Sequence, residues 1–414
     1  MTNSNFIIQH QCPQCGAPAE LSETDRLFTC GFCKVRSYLV PGDVFRYRLP
    51  DKIPEKEDRI FYPYWRFKGM LFFCTPDGIR PRFIDVSHQA LACRHFPHTL
   101  GFRSQALKLR FATTESGGRF LQPEYSLGQV VETFEERFGA QLPKPLYHQA
   151  HVGEALSLVY APFYLTDRIY DGVLNEPLED ADLETVTSLA EKARPLRWKM
   201  HFLATLCPKC GWDLEGARDA LVLMCRNCDT AWQADNQQLT AIRYGCLHGS
   251  TPAADEVLYL PFWRIVTEIS GVRLETYADL ATLANLPRVP REAWDNIPFR
   301  FWSPAFKIRP QTFLPLATKM TLTEPRQAPE PHLPKSSLYP VNLPVREAAE
   351  SLKVILADFI KPRQTQYPRL GEIQIRPRSY LLVYVPFYPQ HGDLVQPEFH
   401  FTIRQSQLAH AGNL

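Results

Sequence analysis

Glycine is scarce in this chain beside proline, 20 residues against 36 in 414. A glycine-rich flexible linker therefore cannot be where the prolines come from. A charge excess of one sign is also lacking. Forty-six Lys and Arg face 44 Asp and Glu, a net +2, whereas a protein that works by neutralising many phosphates carries a stronger basic balance. Long apolar runs are missing too. The longest, Tyr380 to Tyr388, is interrupted by Pro386 and falls far short of the roughly 20 residues of a membrane helix. Met1 to Gln11 is polar ahead of the first cysteines, so neither a signal peptide nor a transmembrane segment is expected. The expected location is cytoplasmic, where thiols stay reduced and paired cysteines bind metal more often than they form disulfides. No Walker loop, GxGxxG turn, GxSxG elbow, HExxH helix or H-x-E deaminase signature is found, so no motif assigns an enzymatic reaction.

What the chain does have is cysteine in a repeated pattern. Eight of its 11 cysteines form two sets: Cys12, Cys15, Cys30 and Cys33, then Cys207, Cys210, Cys225 and Cys228. Each set is two C-x-x-C pairs with 14 residues between them, and Gly16 or Gly211 follows the first pair. Two residues between cysteines allow a tight turn that points both sulfurs at one ion, and the glycine lets the backbone fold back with its amides toward the thiolates. Two such turns close a four-sulfur tetrahedral site, which suits zinc and leaves no open position for chemistry. Iron in a rubredoxin-like site would use the same ligands, and a single C-x-x-C would also read as a redox pair. The two sets resemble the zinc-ribbon superfamily over about 25 residues each. That resemblance implies two zinc ions per chain and names no activity.

Self-similarity runs past the cysteines. Tyr62-Pro63-Tyr64-Trp65-Arg66 matches Leu260-Pro261-Phe262-Trp263-Arg264 at an offset of 198, against 195 for the cysteines. Ser104 to Arg110 matches Ser303 to Arg309 at 199, and Leu158 to Tyr164 matches Leu382 to Tyr388 at 224. The jump calls for an insertion, and the proline-rich segment 324–344 is the candidate. Strands are expected over Arg59 to Cys74, Ile79 to Val86, Val257 to Ile269 and Val272 to Tyr277, with prolines at edges or bulges. Helices are expected from the Ser126 cap to Gly139, over Val345 to Ile360 and over Asp182 to Arg194. The expected class is α+β by tandem duplication, each copy a four-cysteine ribbon followed by a mainly antiparallel β module with one or two helices. The expected divisions are ribbon 1 (1–45), module 1 (46–172), a helical bridge (173–203), ribbon 2 (204–248) and module 2 (249–414).

Two further groups are candidates for partner binding. Trp65 with Arg66, and Trp263 with Arg264, would form stacking platforms for bases or proline-rich peptides if exposed, or pack the sheet if not. Lys108 with Arg110, and Lys307 with Arg309, fall on one strand face by period two, opposite Leu109 and Ile308. Cys93 lies near His88, His95 and His98, and Cys246 near His248, but no spacing enforces a third metal site. Charge is unevenly spread. Cys207 to Asp235 has three basic and five acidic residues, Asp171 to Glu191 has seven acids and no base, and Lys361 to Arg378 has five bases and one acid. The reading favoured here is a non-enzymatic zinc-binding scaffold or adaptor with a protein partner. The alternatives are a nucleic-acid-binding accessory protein, with weak affinity, and an enzyme with a cleft between the two repeats.

Overall fold

A computed structural model describes residues 6–101, 107–178, 182–235, 237–249, 257–287, 292–325 and 327–409. The fold is mixed α+β and rich in strand. Two sheets carry most of it, one of ten strands in the first half and one of seven in the second. No described helix is long and apolar enough to cross a membrane.

Each large sheet is built on one pair of long antiparallel strands. Ile60–Thr75 pairs His148–Leu165, and Leu258–Ser270 pairs Gln374–Gln390. Their registers agree residue by residue. Pro63 faces Tyr160 and Trp65 faces Leu158, while Pro261 faces Tyr384 and Trp263 faces Leu382. Each pair also carries a bulge that places one extra residue on its later strand, starting after Lys68 in one and after Val266 in the other. A short parallel strand flanks each later strand, Phe45–Arg48 on Ser157 to Tyr160 and Tyr244–Cys246 on Leu382 to Tyr384.

The prolines sit inside these paired strands, at the point where the neighbour on the other side departs. Gln89 and Pro304 are the last residues of those neighbours to pair. The next amides, Ala90 and Ala305, each donate to the proline carbonyl at 3.0 Å. A proline fits there because its missing N–H removes no ladder bond that a neighbour still needs. The carbonyls of Ala90 and Ala305 in turn accept from Glu124 and Tyr125, and from Asn342 and Leu343.

The structure departs from three expectations. First, Ala305 makes the bond that Ala90 makes, and Lys108–Phe111 pairs Ile7–Gln11 and Phe45–Arg48 whereas Phe301–Pro304 pairs Leu258–Ser270, so the motifs Ser104 to Arg110 and Ser303 to Arg309 contribute to differently placed strands. Ser104, Gln105 and Ala106 lie outside the described residues. Lys108 and Arg110 do alternate outward on Lys108–Phe111, but Lys307 has left the strand Phe301–Pro304, and Arg309 is the N-cap of the helix Pro310–Thr323. Second, the spans between residues that make equivalent hydrogen bonds differ most ahead of 324–344. Trp65 to Ala90 spans 25 residues and Trp263 to Ala305 spans 42, while Ala90 to Tyr125 spans 35 and Ala305 to Leu343 spans 38. Third, Val272 to Tyr277 is no strand. Thr276 and Asp279 form a reciprocal capping box that starts the helix Tyr277–Leu283, and this local capping wins over the β-favouring residues before it.

The helices expected from capping are present. Ser126 and Gln129 form a capping box at the start of Leu127–Gly139, and Asp182 caps Leu183–Glu191. The span expected as one helix over Val345 to Ile360 is two, Val345–Glu350 and Leu352–Phe359. The helix Pro310–Thr323 was not anticipated, although a proline at its first turn is a start signal.

One core fills the first half. The core of the second half also takes in Met70, Phe72, Cys74, Ala150 and Val152 from the far end of the first strand pair. There Phe72 meets Phe313 with ring centroids 6.1 Å apart, and the Glu347 carboxylate accepts from the Gly153 amide at 3.0 Å. Gly153 and Gly69 cross so closely at the bulge that a Cβ on Gly69 would lie 2.8 Å from the Gly153 Cα.

Candidate metal centres

Both cysteine sets close into compact clusters, with all four sulfurs of each within 4.8 Å of one another. The first site begins where Ile7–Gln11 ends. The Gly16 amide donates to the Cys12 carbonyl at 2.8 Å with Gly16 at φ +72°, which reverses the chain around the first pair. Its second turn is closed by the Lys34 amide on the Cys30 carbonyl. The second site repeats this, with the Gly211 amide on Cys207 at 2.8 Å and Gly211 at φ +73°. Lys34 and Asp229 take the positive φ after the second pairs.

The sulfur separations fit a metal. Cys12 to Cys33 and Cys15 to Cys30 are each 3.7 Å, Cys207 to Cys228 is 3.7 Å, and Cys210 to Cys225 is 3.5 Å. A tetrahedron of sulfurs about 2.3 Å from a central ion has edges of about 3.8 Å. A disulfide would bring them to about 2.05 Å, and all eight cysteines are free thiols.

The surroundings favour a thiolate at some sulfurs and oppose it at others. Against the Val35 amide, burial and the neighbouring sulfurs push Cys33 up to about 12. Burial and neighbouring sulfurs push Cys225 up to about 12, and despite the Thr230 hydroxyl they raise Cys228. The amides of Cys33 and Phe32 hold the Cys30 thiol down to about 6. At Cys207 burial works against ionisation, yet the amides of Cys210 and Lys209 and the Thr230 hydroxyl bring it to about 6 as well. The Asn227 side chain, followed by the Trp212 amide, lowers Cys210. Trp232 Nε1 donates to Thr230 Oγ1 at 2.9 Å, and that hydroxyl lies 3.1 Å from the Cys228 sulfur and 3.7 Å from the Cys207 sulfur. Thr230 and Asn227 are positioning groups that cysteine spacing alone does not disclose. Partners of this kind orient ligands and tune affinity.

The first site's hairpin, Leu27–Thr29 with Arg36–Pro41, corresponds to Val222–Cys225 with Thr230–Asp235 in the second. In the second, Gln238–Ile242 supplies a third strand. In the first, that place is filled by Met200–Ala204, the strand that leads into Cys207. The segment expected as a proline-rich excursion lies against the second site. His332 Nδ1 is 2.8 Å from Asp229 Oδ2, and Arg226 donates to the Pro334 carbonyl at 2.9 Å.

The remaining candidates fall elsewhere. Trp65 and Trp263 are buried, and each indole N–H bonds a backbone carbonyl, so they form no exposed stacking platform. Arg66 is buried with Glu23 and Asp85 as ion-pair partners, and its guanidinium lies 3.9 Å over the Phe6 ring. Arg264 is half-buried against Trp302. Lys108 pairs with Glu20 at the surface. Among the described residues only the two cysteine sets gather three or more metal-ligating groups. Cys93, His95 and His98 line an open cavity of about 850 Å³ without forming such a set, and His248 pairs with Glu330 at 2.8 Å. Comparison with protein-family models, with curated proteins and with solved structures finds no match to this chain.

Proposed function

We propose that this chain is a zinc-organised scaffold, produced by tandem duplication, that engages a protein partner and catalyses no reaction at its metal sites. The observation that carries this reading is the closure of both four-sulfur sites. Each set supplies four protein ligands, so a bound zinc would have no position for water or substrate and would act as a structural cross-link. The shared register, bulge and hydrogen bonds of the two strand pairs support the duplication.

A protein partner is favoured by the apolar side chains left in solvent beside the metal turns. Phe32 is 70% exposed at the first site, and Trp212 59% and Leu206 51% at the second, and large apolar side chains held in solvent are the groups a protein contact would cover. The nucleic-acid reading is weakened by the pairing of its basic segment. Arg363 meets Asp358, Arg369 meets Glu372 and Arg378 meets Glu268. The reading as an enzyme with a site between the repeats is weakened as well. Three cavities, of about 850, 420 and 250 Å³, are lined by described residues of the first half alone. An apolar core joins the halves at the far end of the first strand pair.

The test is affinity capture of the tagged full chain from its native cells, with quantitative mass spectrometry and nucleic-acid extraction, beside a Phe32→Ser/Trp212→Ser variant. A protein recovered stoichiometrically with the native chain and lost with the variant is the expected result. Recovery of nucleic acid in its place, equally with both forms, would contradict the proposal.

A further inference from the structure

We infer that the two metal sites are thermodynamically coupled, so that zinc at one raises the affinity of the other. The inference rests on the zinc reading above and goes beyond it, since two structural sites in one chain need not communicate.

The first site's sheet is incomplete in its own sequence. Its outer strand, Met200–Ala204, pairs with Arg36–Pro41 from Met200 opposite Pro41 to Ala204 opposite Ser37. Only Thr205 and Leu206 separate that strand from the ligand Cys207. Ordering the second site's first turn therefore orders the strand that completes the first site's sheet, and the reverse holds.

A second connection runs through the opposite ends of both hairpins. The Arg218 carbonyl accepts from the amides of Arg26 at 2.6 Å and Leu27 at 2.8 Å, and Leu27 begins the strand that leads to Cys30. The Tyr38 hydroxyl donates to the Ala220 carbonyl at 3.1 Å, and Arg218 pairs with Asp25. Between these bonds lies one small core shared by both sites. It contains Leu27 and Tyr38 from the first and Leu214, Leu223, Trp232 and the ligands Cys207 and Cys225 from the second. Without metal, neither ribbon has enough apolar surface of its own to stay ordered, which is the usual behaviour of small zinc-bound units. Disorder in one removes its share of the core that supports the other. Each ion thus contributes to ordering a surface that both sites share, which is the condition for a coupling free energy.

Native mass spectrometry of the full chain, stripped of metal and titrated with zinc, reads this directly. At half-saturation, uncoupled equal sites leave about half of the chains with one ion, and tenfold coupling lowers that fraction to about a quarter. A one-zinc fraction well under half, with empty and doubly loaded chains dominating, is expected. Tyr38→Phe keeps all eight ligands and removes one bond between the ribbons, so it should still load two ions with the one-zinc fraction raised toward half. A one-zinc fraction at half or above in the native chain, or no change in Tyr38→Phe, overturns the coupling. Failure to take up zinc at all would instead overturn the zinc reading itself.

Discussion

Trp65 and Trp263 stand 198 positions apart and make the same hydrogen bond. Trp65 Nε1 donates to the Tyr125 carbonyl at 2.9 Å, and Trp263 Nε1 donates to the Leu343 carbonyl at 2.8 Å. Each accepting residue immediately precedes a helix N-cap, Ser126 in one case and Pro344 in the other. The indole thereby fixes where a helix leaves the sheet. Replacing either tryptophan by Phe removes that bond, from a buried carbonyl at Leu343 and a partly buried one at Tyr125, a loss of about 1–3 kcal/mol. Chemical denaturation should show that cost for Trp65→Phe and Trp263→Phe alike. Unchanged midpoints would contradict a stabilising role for the two indole bonds.

The same correspondence exposes a difference between the halves. Beyond the bulge, the outward face of the first strand pair presents Met70, Phe72, Ala150 and Val152, all buried against the second half. The matching positions of the second pair are Glu268, Ser270, Gln374 and Arg376, all exposed. An apolar face is used where another module covers it, and a polar face ends the array. Met70→Glu should therefore cost about 3 kcal/mol or more by burying an unpaired charge. Glu268→Met, its mirror, should change stability by only about 0.5 kcal/mol. Thermal unfolding of the two variants separates them, and similar losses in both would refute the assignment of the faces.

Acid should weaken the fold through histidines on that first strand pair. Burial pushes His148 and His151 down to about 4, with nearby Lys353 adding to the shift at His148. Neither Nε2 has a hydrogen-bond partner. The unfolded chain takes up these protons near the ordinary histidine value of about 6.5, above the folded values, so folding stability rises with pH across that window and is lost as pH falls from about 6.5 to about 4. His148→Gln/His151→Gln should flatten this part of the stability curve, by on the order of 2 kcal/mol per histidine at its acid end. Denaturant midpoints of both forms at pH 7 and pH 4.5 check it, and parallel curves would count against it.

The ligand sets were legible because C-x-x-C spacing acts locally, through turns that need only a few residues. The long strands were legible from their aromatic and β-branched runs, and the Ser126 helix from its cap and apolar face. The pairing of Ser104–Arg110 with Ser303–Arg309 failed because a short motif was matched without its hydrogen-bond partners. It is Ala90, in a dissimilar stretch, that bonds Pro63 as Ala305 bonds Pro261. The loan of Met200–Ala204 to the first site's sheet was also hidden, since strand pairing across 160 residues leaves no local trace in sequence. Thr230 and Asn227 were missed because a hydroxyl or amide acquires its role only from where the fold aims it.

The account depends most on metal, and elemental analysis of the freshly purified chain tests it most directly. Inductively coupled plasma mass spectrometry against a protein concentration from amino-acid analysis should give two zinc ions per chain. Cys210→Ser should lower that ratio and destabilise the fold strongly, because binding of a structural zinc is worth about 10–16 kcal/mol in small zinc-bound units. Iron in place of zinc, or a ratio of one or none in the native chain, would contradict the account.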